Sequence, residues 1–245
     1  MSTIDKNNIG LPIIILLSLA VMLAGCLKPQ IITDSGSLDV NAAATDASAF
    51  IRAGCIDTGN GRLDCSSIGL EDNFSCQEIM AQYDLGGLSP KVPIVACNVL
   101  LKDDGMDKGI VRQGCLYPMY RRYIIIDEGK YRPIEDKEGF IQYFAPVESP
   151  EEALAFAVAL TNSRAAHNMT LPEGNMIYSV SSIRTTYVER IDAGFKVHLF
   201  YQQFCGCGNH PYFSIDYAVT RDGEVNEISS EKIYENPELF GLCVD

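Results

Sequence analysis

Four stretches near the C-terminal end alternate apolar and polar residues with the two-residue period of a half-buried strand. Ile183, Thr185, Tyr187 and Ile191 fall on one side. Beyond the turn at Asp192-Ala193-Gly194, the residues Phe195, Val197, Leu199 and Tyr201 do the same, as do Phe213, Ile215, Tyr217 and Val219. Arg221-Asp222-Gly223-Glu224 then turns the chain into a fourth strand from Val225 to Ser229. This pattern predicts an antiparallel meander with one buried face. The opposite face carries Arg184, Thr186, Val188 and Arg190, then Lys196, His198, Phe200 and Gln202, then Tyr212, Ser214 and Asp216.

A helix precedes the meander. Ser149 is its cap, Pro150 fits the first helical position and Glu152 completes a capping box. Ala153 to Leu160 is apolar on every side, so this helix is expected between the sheet and the first half of the body. In that first half, Ser75 and Glu78 suggest a second capping box, for a helix running to about Tyr83 and ended by Gly86-Gly87. Val92 to Leu101 reads as a strand. Tyr123 to Asp127 and Tyr131 to Ile134 read as a hairpin turned at Glu128-Gly129-Lys130. The expected fold class is α+β: a C-terminal helix packed on a four-stranded antiparallel sheet, preceded by a smaller disulfide-rich region of loops and strands.

The chain begins with a polar start and an apolar run from Ile9 to Leu23, the length of a signal-peptide core rather than of a membrane span. It closes on Leu23-Ala24-Gly25-Cys26. LAGC resembles the lipobox of bacterial lipoproteins, which implies cleavage before Cys26 and acylation of its sulfur. Two or three acyl chains hold a protein stably at a bilayer, because each buried methylene adds about 0.8 kcal/mol. Leu27, rather than aspartate, follows the cysteine, and in diderm bacteria this resembles lipoproteins sent on to the outer membrane. From Lys28 to about Ser48 the residues are mostly small and polar without periodicity, which reads as a tether with a reach on the order of 25 Å. The domain reading is therefore 1–25 signal peptide, 26–48 lipidated cysteine and tether, 49–138 Cys-rich subdomain and 139–245 α+β subdomain.

Nine cysteines are present, and setting Cys26 aside leaves Cys55, Cys65, Cys76, Cys97, Cys115, Cys205, Cys207 and Cys243. An even set in an exported chain reads as disulfides. Cys55 and Cys65 flank the turn Thr58-Gly59-Asn60-Gly61, and a bridge from Cys243 to Cys205 or Cys207 would tie down the chain end. The stretch FCGCGNHP keeps a second reading open, in which Cys205, Cys207 and His210 bind Zn or Cu(I) or act as a thiol-redox centre. The Asp57 to Asp64 loop lacks side-chain oxygens at Gly59 and Gly61, where a calcium loop needs them.

A net charge of −13 disfavours nucleic acid and anionic headgroups as partners. Arg121-Arg122 is the densest basic point and reads as a solvated strand edge. The motifs G-x-S-x-G, H-E-x-x-H and C-x-x-C are absent, and His167, His198 and His210 sit in no nucleophile motif. The expectation is a non-catalytic binding or envelope-interaction protein outside the cytosol, membrane-attached through its lipid, needing no cofactor. An envelope protein or peptide is the expected partner, and the open sheet face offers Arg184, Arg190, His198, Phe200 and Tyr212 as binding residues. The order of helix and sheet over Ser149 to Ser230 also resembles PepSY-like domains of exported bacterial proteins. Phrases such as SPEEALAFAVAL, CGCGNHP and VTRDGEV resemble uncharacterised bacterial lipoproteins. Replacing Cys26→Ser is expected to abolish incorporation of labelled palmitate and to leave an uncleaved precursor. Undiminished lipid labelling of that variant contradicts the lipobox reading.

Overall fold

The computed structural model describes residues 28–33, 47–100, 109–115 and 117–244; the leader, Cys26 and the turn expected at Asp103-Asp104-Gly105 lie outside them. In chain order the first half contains β1 (Gln30–Ile32), α1 (Ser48–Ala53), β2 (Ile56–Gly59), β3 (Arg62–Asp64), α2 (Leu70–Phe74), β4 (Glu78–Met80) and β5 (Ile94–Leu100). It continues through β6 (Val111–Gln113), β7 (Met119–Asp127), β8 (Lys130–Ile134) and α3 (Lys137–Phe144). The second half holds α4 (Pro150–Leu160), β9 (Ile177–Tyr178), β10 (Ser182–Arg184), β11 (Tyr187–Ile191), β12 (Gly194–Gln202), β13 (Gly206–Gly208), β14 (Tyr212–Thr220), β15 (Val225–Glu235) and β16 (Leu242–Val244).

These elements overturn the expected fold class. Among the described residues the protein is mostly β, with one seven-stranded sheet, one five-stranded sheet and two small two-stranded ones, and its helices are short. The larger sheet runs β2-β3-β4-β5-β7, with β6 and β8 sharing the outer edge of β7. It occupies the region that the cysteines had marked as loop-rich. Strands of three or four residues, such as β2, β3 and β4, are too short to show a period in sequence. They are held instead by their neighbours and by disulfides. The five-stranded sheet runs β11-β12-β14-β15-β9, so the predicted meander forms from Phe195 onward and gains an extra strand at one edge. Its first strand departs from the expectation: Ile183 belongs to β10, and Tyr187 pairs with His198, so Tyr187 lies on the outer face and Val188, opposite Val197, faces α4.

The capping box read at Ser75 is not formed. Ser75 has φ 57° and ends α2 rather than starting a helix, and Glu78 opens β4. A left-handed residue cannot serve as an extended N-cap. Gly87 terminates no helix either: a Cβ there would lie 2.0 Å from the carbonyl oxygen of Glu151, so glycine lets this loop press against the first turn of α4. The hairpin at Glu128-Gly129 does form, with φ of 50° and 74° matching the twist that a two-residue turn needs. The segment read as tether contributes β1, which pairs in parallel with β10.

All four bridges form between the eight body cysteines: Cys55–Cys65, Cys76–Cys97, Cys115–Cys205 and Cys207–Cys243. Disulfides persist in oxidising compartments, so the folded body belongs outside the reducing cytosol. Among the described residues no helix is long and apolar enough to cross a membrane.

The largest core centres on α4. Ala153 to Leu160 are all buried, and the helix packs on β11, β12, β14 and β15. On its other side lie Tyr123 and Ile125 of β7 and the α3 ring of Phe140, 5.3 Å from Phe156. The odd and even residues of β5 divide between two cores: Ile94 and Ala96 face α4, whereas Val95, Cys97 and Val99 face Phe50, Leu63 and Leu70. A strand covered on both faces reads as a continuous apolar run, which explains IVACNV.

Both ends of α4 are held by side-chain hydrogen bonds. At the start, the Ser149 hydroxyl accepts from the Glu152 N–H at 3.1 Å and the Glu152 carboxylate accepts from the Ser149 N–H at 2.9 Å, the capping box read in sequence. At the other end, Arg121 of β7 is buried and donates to the carbonyls of Val158 and Thr161 at 3.2 and 3.4 Å. The hydroxyl of Tyr123 donates to the Ala159 carbonyl at 3.1 Å. Arg121 is therefore a helix C-terminal cap and not a solvated edge, and its positive charge also opposes the negative end of the helix dipole. Arg121→Ala is expected to lower stability by about 2–4 kcal/mol, because buried carbonyls lose their donors. Tyr123→Phe should cost about 1 kcal/mol. Denaturant unfolding with disulfides intact measures both; an unchanged midpoint for Arg121→Ala contradicts the capping role.

Candidate functional site in an aromatic groove beside Arg164

The chain leaving α4 is pinned residue by residue. The Thr161 hydroxyl donates back to the Ala157 carbonyl at 2.6 Å, and Ser163 meets the Tyr217 hydroxyl at 2.8 Å. The Arg164 N–H donates to the Phe200 carbonyl at 2.8 Å and the Phe200 N–H returns the bond at 3.0 Å. The Ala166 N–H donates to the Thr186 hydroxyl at 2.7 Å, and His167 Nε2 lies 2.9 Å from the Asp84 carboxylate in the first half of the body. These bonds lay the segment 161–172 across the outer face of the five-stranded sheet.

Under that segment runs a row of aromatic side chains, one strand after another. Tyr187 of β11 stacks on His198 of β12 at 4.9 Å, and His198 meets Phe200 edge-on at 5.2 Å. Phe200 stacks on Tyr212 of β14 at 5.7 Å, Tyr212 on Tyr234 of β15 at 4.9 Å, and Tyr234 meets Tyr178 of β9 at 5.8 Å. Cross-strand aromatic pairs of this kind stabilise a sheet and keep flat faces in register. Phe200 and Tyr212 are also buried with Ile183 and Ile233 against Met169, Leu171 and Val180, forming a separate small core.

The exposed Arg164 guanidinium lies 5.7 Å over the Tyr212 ring and pairs with no carboxylate among the described residues. It stands between two concavities. One, of about 380 Å³, is lined by Gln113, Tyr117, Met119, Asn162, Phe200, Tyr201, Gln202, Phe204 and Cys205. The other, of about 690 Å³, is lined by residues 164–172 with Tyr212 and Tyr234. Together they make a groove with one cation at its centre; the exposed Tyr117 and Phe204 rings line the first concavity, whereas Tyr212 in the second is buried and stacked between Phe200 and Tyr234. Burial pushes the Tyr212 phenol up although Arg164 works against that shift. Burial, with Tyr212 and Tyr178 beside it, pushes Tyr234 up to about 12, again against Arg164. The Tyr178 hydroxyl is buried with no hydrogen-bond partner among the described residues.

The five binding residues expected from sequence are only partly brought together. Phe200 and Tyr212 line the groove. Arg184 sits 3.8 Å over Tyr187 at one end of the aromatic row, next to His198, whereas Arg190 pairs with Phe195 and so lies on the other face of the sheet, contrary to the expectation. Sequence reasoning missed Arg164, Tyr178 and Tyr234. Arg164 lies in NSRAAHNM, which has no period, and Tyr234 lies beyond the stretch of β15 that alternates visibly.

Each histidine has a partner, although the Nε2 of His198 is buried without one among the described residues. His198 Nδ1 is 2.6 Å from Asp216, whose other oxygen accepts from the Ser229 hydroxyl at 3.2 Å. Burial opposes ionisation of Asp216, but His198, Ser229 and Lys196 outweigh it and hold the carboxyl below its usual range. The serine thus faces the carboxylate rather than the imidazole, so the trio is not arranged to activate a nucleophile. His210 is buried with Nδ1 2.9 Å from the Gln203 carbonyl and Nε2 2.8 Å from the Leu242 carbonyl. Cys205 and Cys207 are bonded to different partners, and among the described residues no group of three His, Cys, Asp or Glu side chains is placed to hold a metal ion. FCGCGNHP therefore forms a double staple: one bridge joins the two halves at the groove rim and the other fixes β16 to β13.

No protein-family model, curated protein or solved structure matches the chain. The raised Tyr234 phenol makes a direct prediction. A folded-state value of about 12 against an ordinary value of about 10 gives stability that is complete below pH 10 and lost as pH rises toward 12. Tyr234→Phe should flatten that alkaline loss, measured as unfolding midpoint against pH. An unchanged slope between the two values contradicts the burial of this phenol.

Proposed function

We propose that this protein is a lipid-anchored, non-catalytic binding protein of the bacterial cell envelope and that the groove beside Arg164 is its ligand site. The observation that carries the reading is a cation without a carboxylate partner, among the described residues of an acidic chain, held over stacked tyrosines between two concavities. Ligand sites are commonly concave and mostly apolar, with a few placed polar groups that set orientation. Cys26 supplies the anchor on the lipobox reading. Because β1 begins at Gln30, an extended link from Cys26 to the folded body spans at most roughly 14 Å, shorter than the reach of a full tether. The body and its groove then work close against the bilayer surface.

Native membranes extracted gently supply the test. The wild-type protein is expected to carry an envelope component by native mass spectrometry, recovered chemically unchanged. The Arg164→Glu variant should be folded, with all four bridges, and empty. Equal loading of the variant contradicts the groove as the site, and release of an altered component contradicts the non-catalytic reading.

A further inference from the structure

The groove also constrains the chemistry of its ligand. Arg164 and His167 are its basic side chains among the described residues, and His167 is paired with Asp84. A single guanidinium fork matches one carboxylate, bidentate and planar. A phosphate dianion would call for more positive charge than the groove supplies. The two concavities continue on both sides of Arg164, so the ligand extends past its anionic group in both directions.

On the Phe200 side of the groove several backbone groups are already bonded. The Arg164 N–H and carbonyl are both bonded to Phe200, the Ala166 N–H to Thr186, the Gln203 N–H to the Pro211 carbonyl and the Phe204 N–H to the Gln202 carbonyl. On that side recognition falls to side chains: the half-exposed Phe204 ring, the more exposed Tyr117 ring and the amides of Gln113 and Gln202. Flat aromatic faces beside amides and hydroxyls suit a body with apolar faces and a polar edge. A pyranose ring has that form.

We infer, building on the groove as the ligand site, that the ligand is an acidic glycan, its carboxylate on Arg164 and its sugar rings on the exposed Phe204 and Tyr117 rings. The test is calorimetric titration of the full-length lipoprotein in a polyoxyethylene detergent, which carries no sugar of its own. The probes are trigalacturonate, neutral maltotriose and an acidic tripeptide. Trigalacturonate is expected to bind roughly ten- to a hundredfold more tightly than maltotriose, the range that one charge-assisted contact supplies. Arg164→Gln should bring it down to the maltotriose level, and Phe204→Ala should weaken both saccharides.

Tripeptide binding as tight as trigalacturonate overturns the glycan assignment, and so does equal binding of the two saccharides. Absence of saccharide binding also overturns it. In that case the native component decides what else falls. If the Arg164→Glu protein is still empty, the groove stands and only the ligand class is wrong; if it is loaded like the wild type, both readings fail together.

Discussion

A helix buried on every side has carbonyl groups at its C-terminal end that water cannot reach, and in this protein Arg121 and Tyr123 of β7 supply the missing donors. That contact lies between the two large sheets. α4 packs on the strands of one, and its terminal carbonyls are held by a strand of the other. Without the donors the helix would need solvent at its end, and the gap needed to admit it would separate the sheets. The relation between the two halves therefore follows from the hydrogen-bond requirement of one helix. The Cys115–Cys205 bridge adds a covalent link between the same halves at the groove rim.

The site inherits its rigidity from that arrangement. Thr161 is both the last contact of Arg121 and the first residue of the segment that reaches Arg164, so the helix cap and the groove wall are continuous. Reciprocal bonding of Arg164 with Phe200 then sets the guanidinium over the tyrosine row. Holding a long charged side chain near a ring in advance lowers the ordering cost of binding an anion. The formal charge of −13 makes an arginine so placed more informative, since carboxylates are plentiful and none pairs with it among the described residues.

What the sequence made legible was whatever repeats or caps. The meander from Phe195 to Val219 shows a clean period of two, and Ser149-Pro150-Glu151-Glu152 specifies the start of α4 from four adjacent residues. The strand before it was read on the wrong face, because Tyr187 pairs with His198. The Cys55–Cys65 pairing and the bridge at Cys243 followed from a turn and a chain end. The seven-stranded sheet was not legible, because its outer strands are too short for a period and its central strands are buried on both faces. Ser75 misled for a related reason: the spacing of a capping box fits, but the Cys76–Cys97 bridge and the pairing of β4 with β5 decide the backbone there. Phe200, Tyr212 and His198 could be placed on one face by counting, whereas Arg164 reached that face by tertiary folding of an aperiodic loop.

Native-state hydrogen exchange, with all four disulfides intact, tests most directly whether the buried helix holds the groove ready-made. The Arg164 and Phe200 amides should exchange only with global unfolding, at the same opening free energy as the amides of α4. If they exchange through a separate low-energy opening while α4 stays protected, the groove wall is independent of the helix and the account of a preorganised site is wrong.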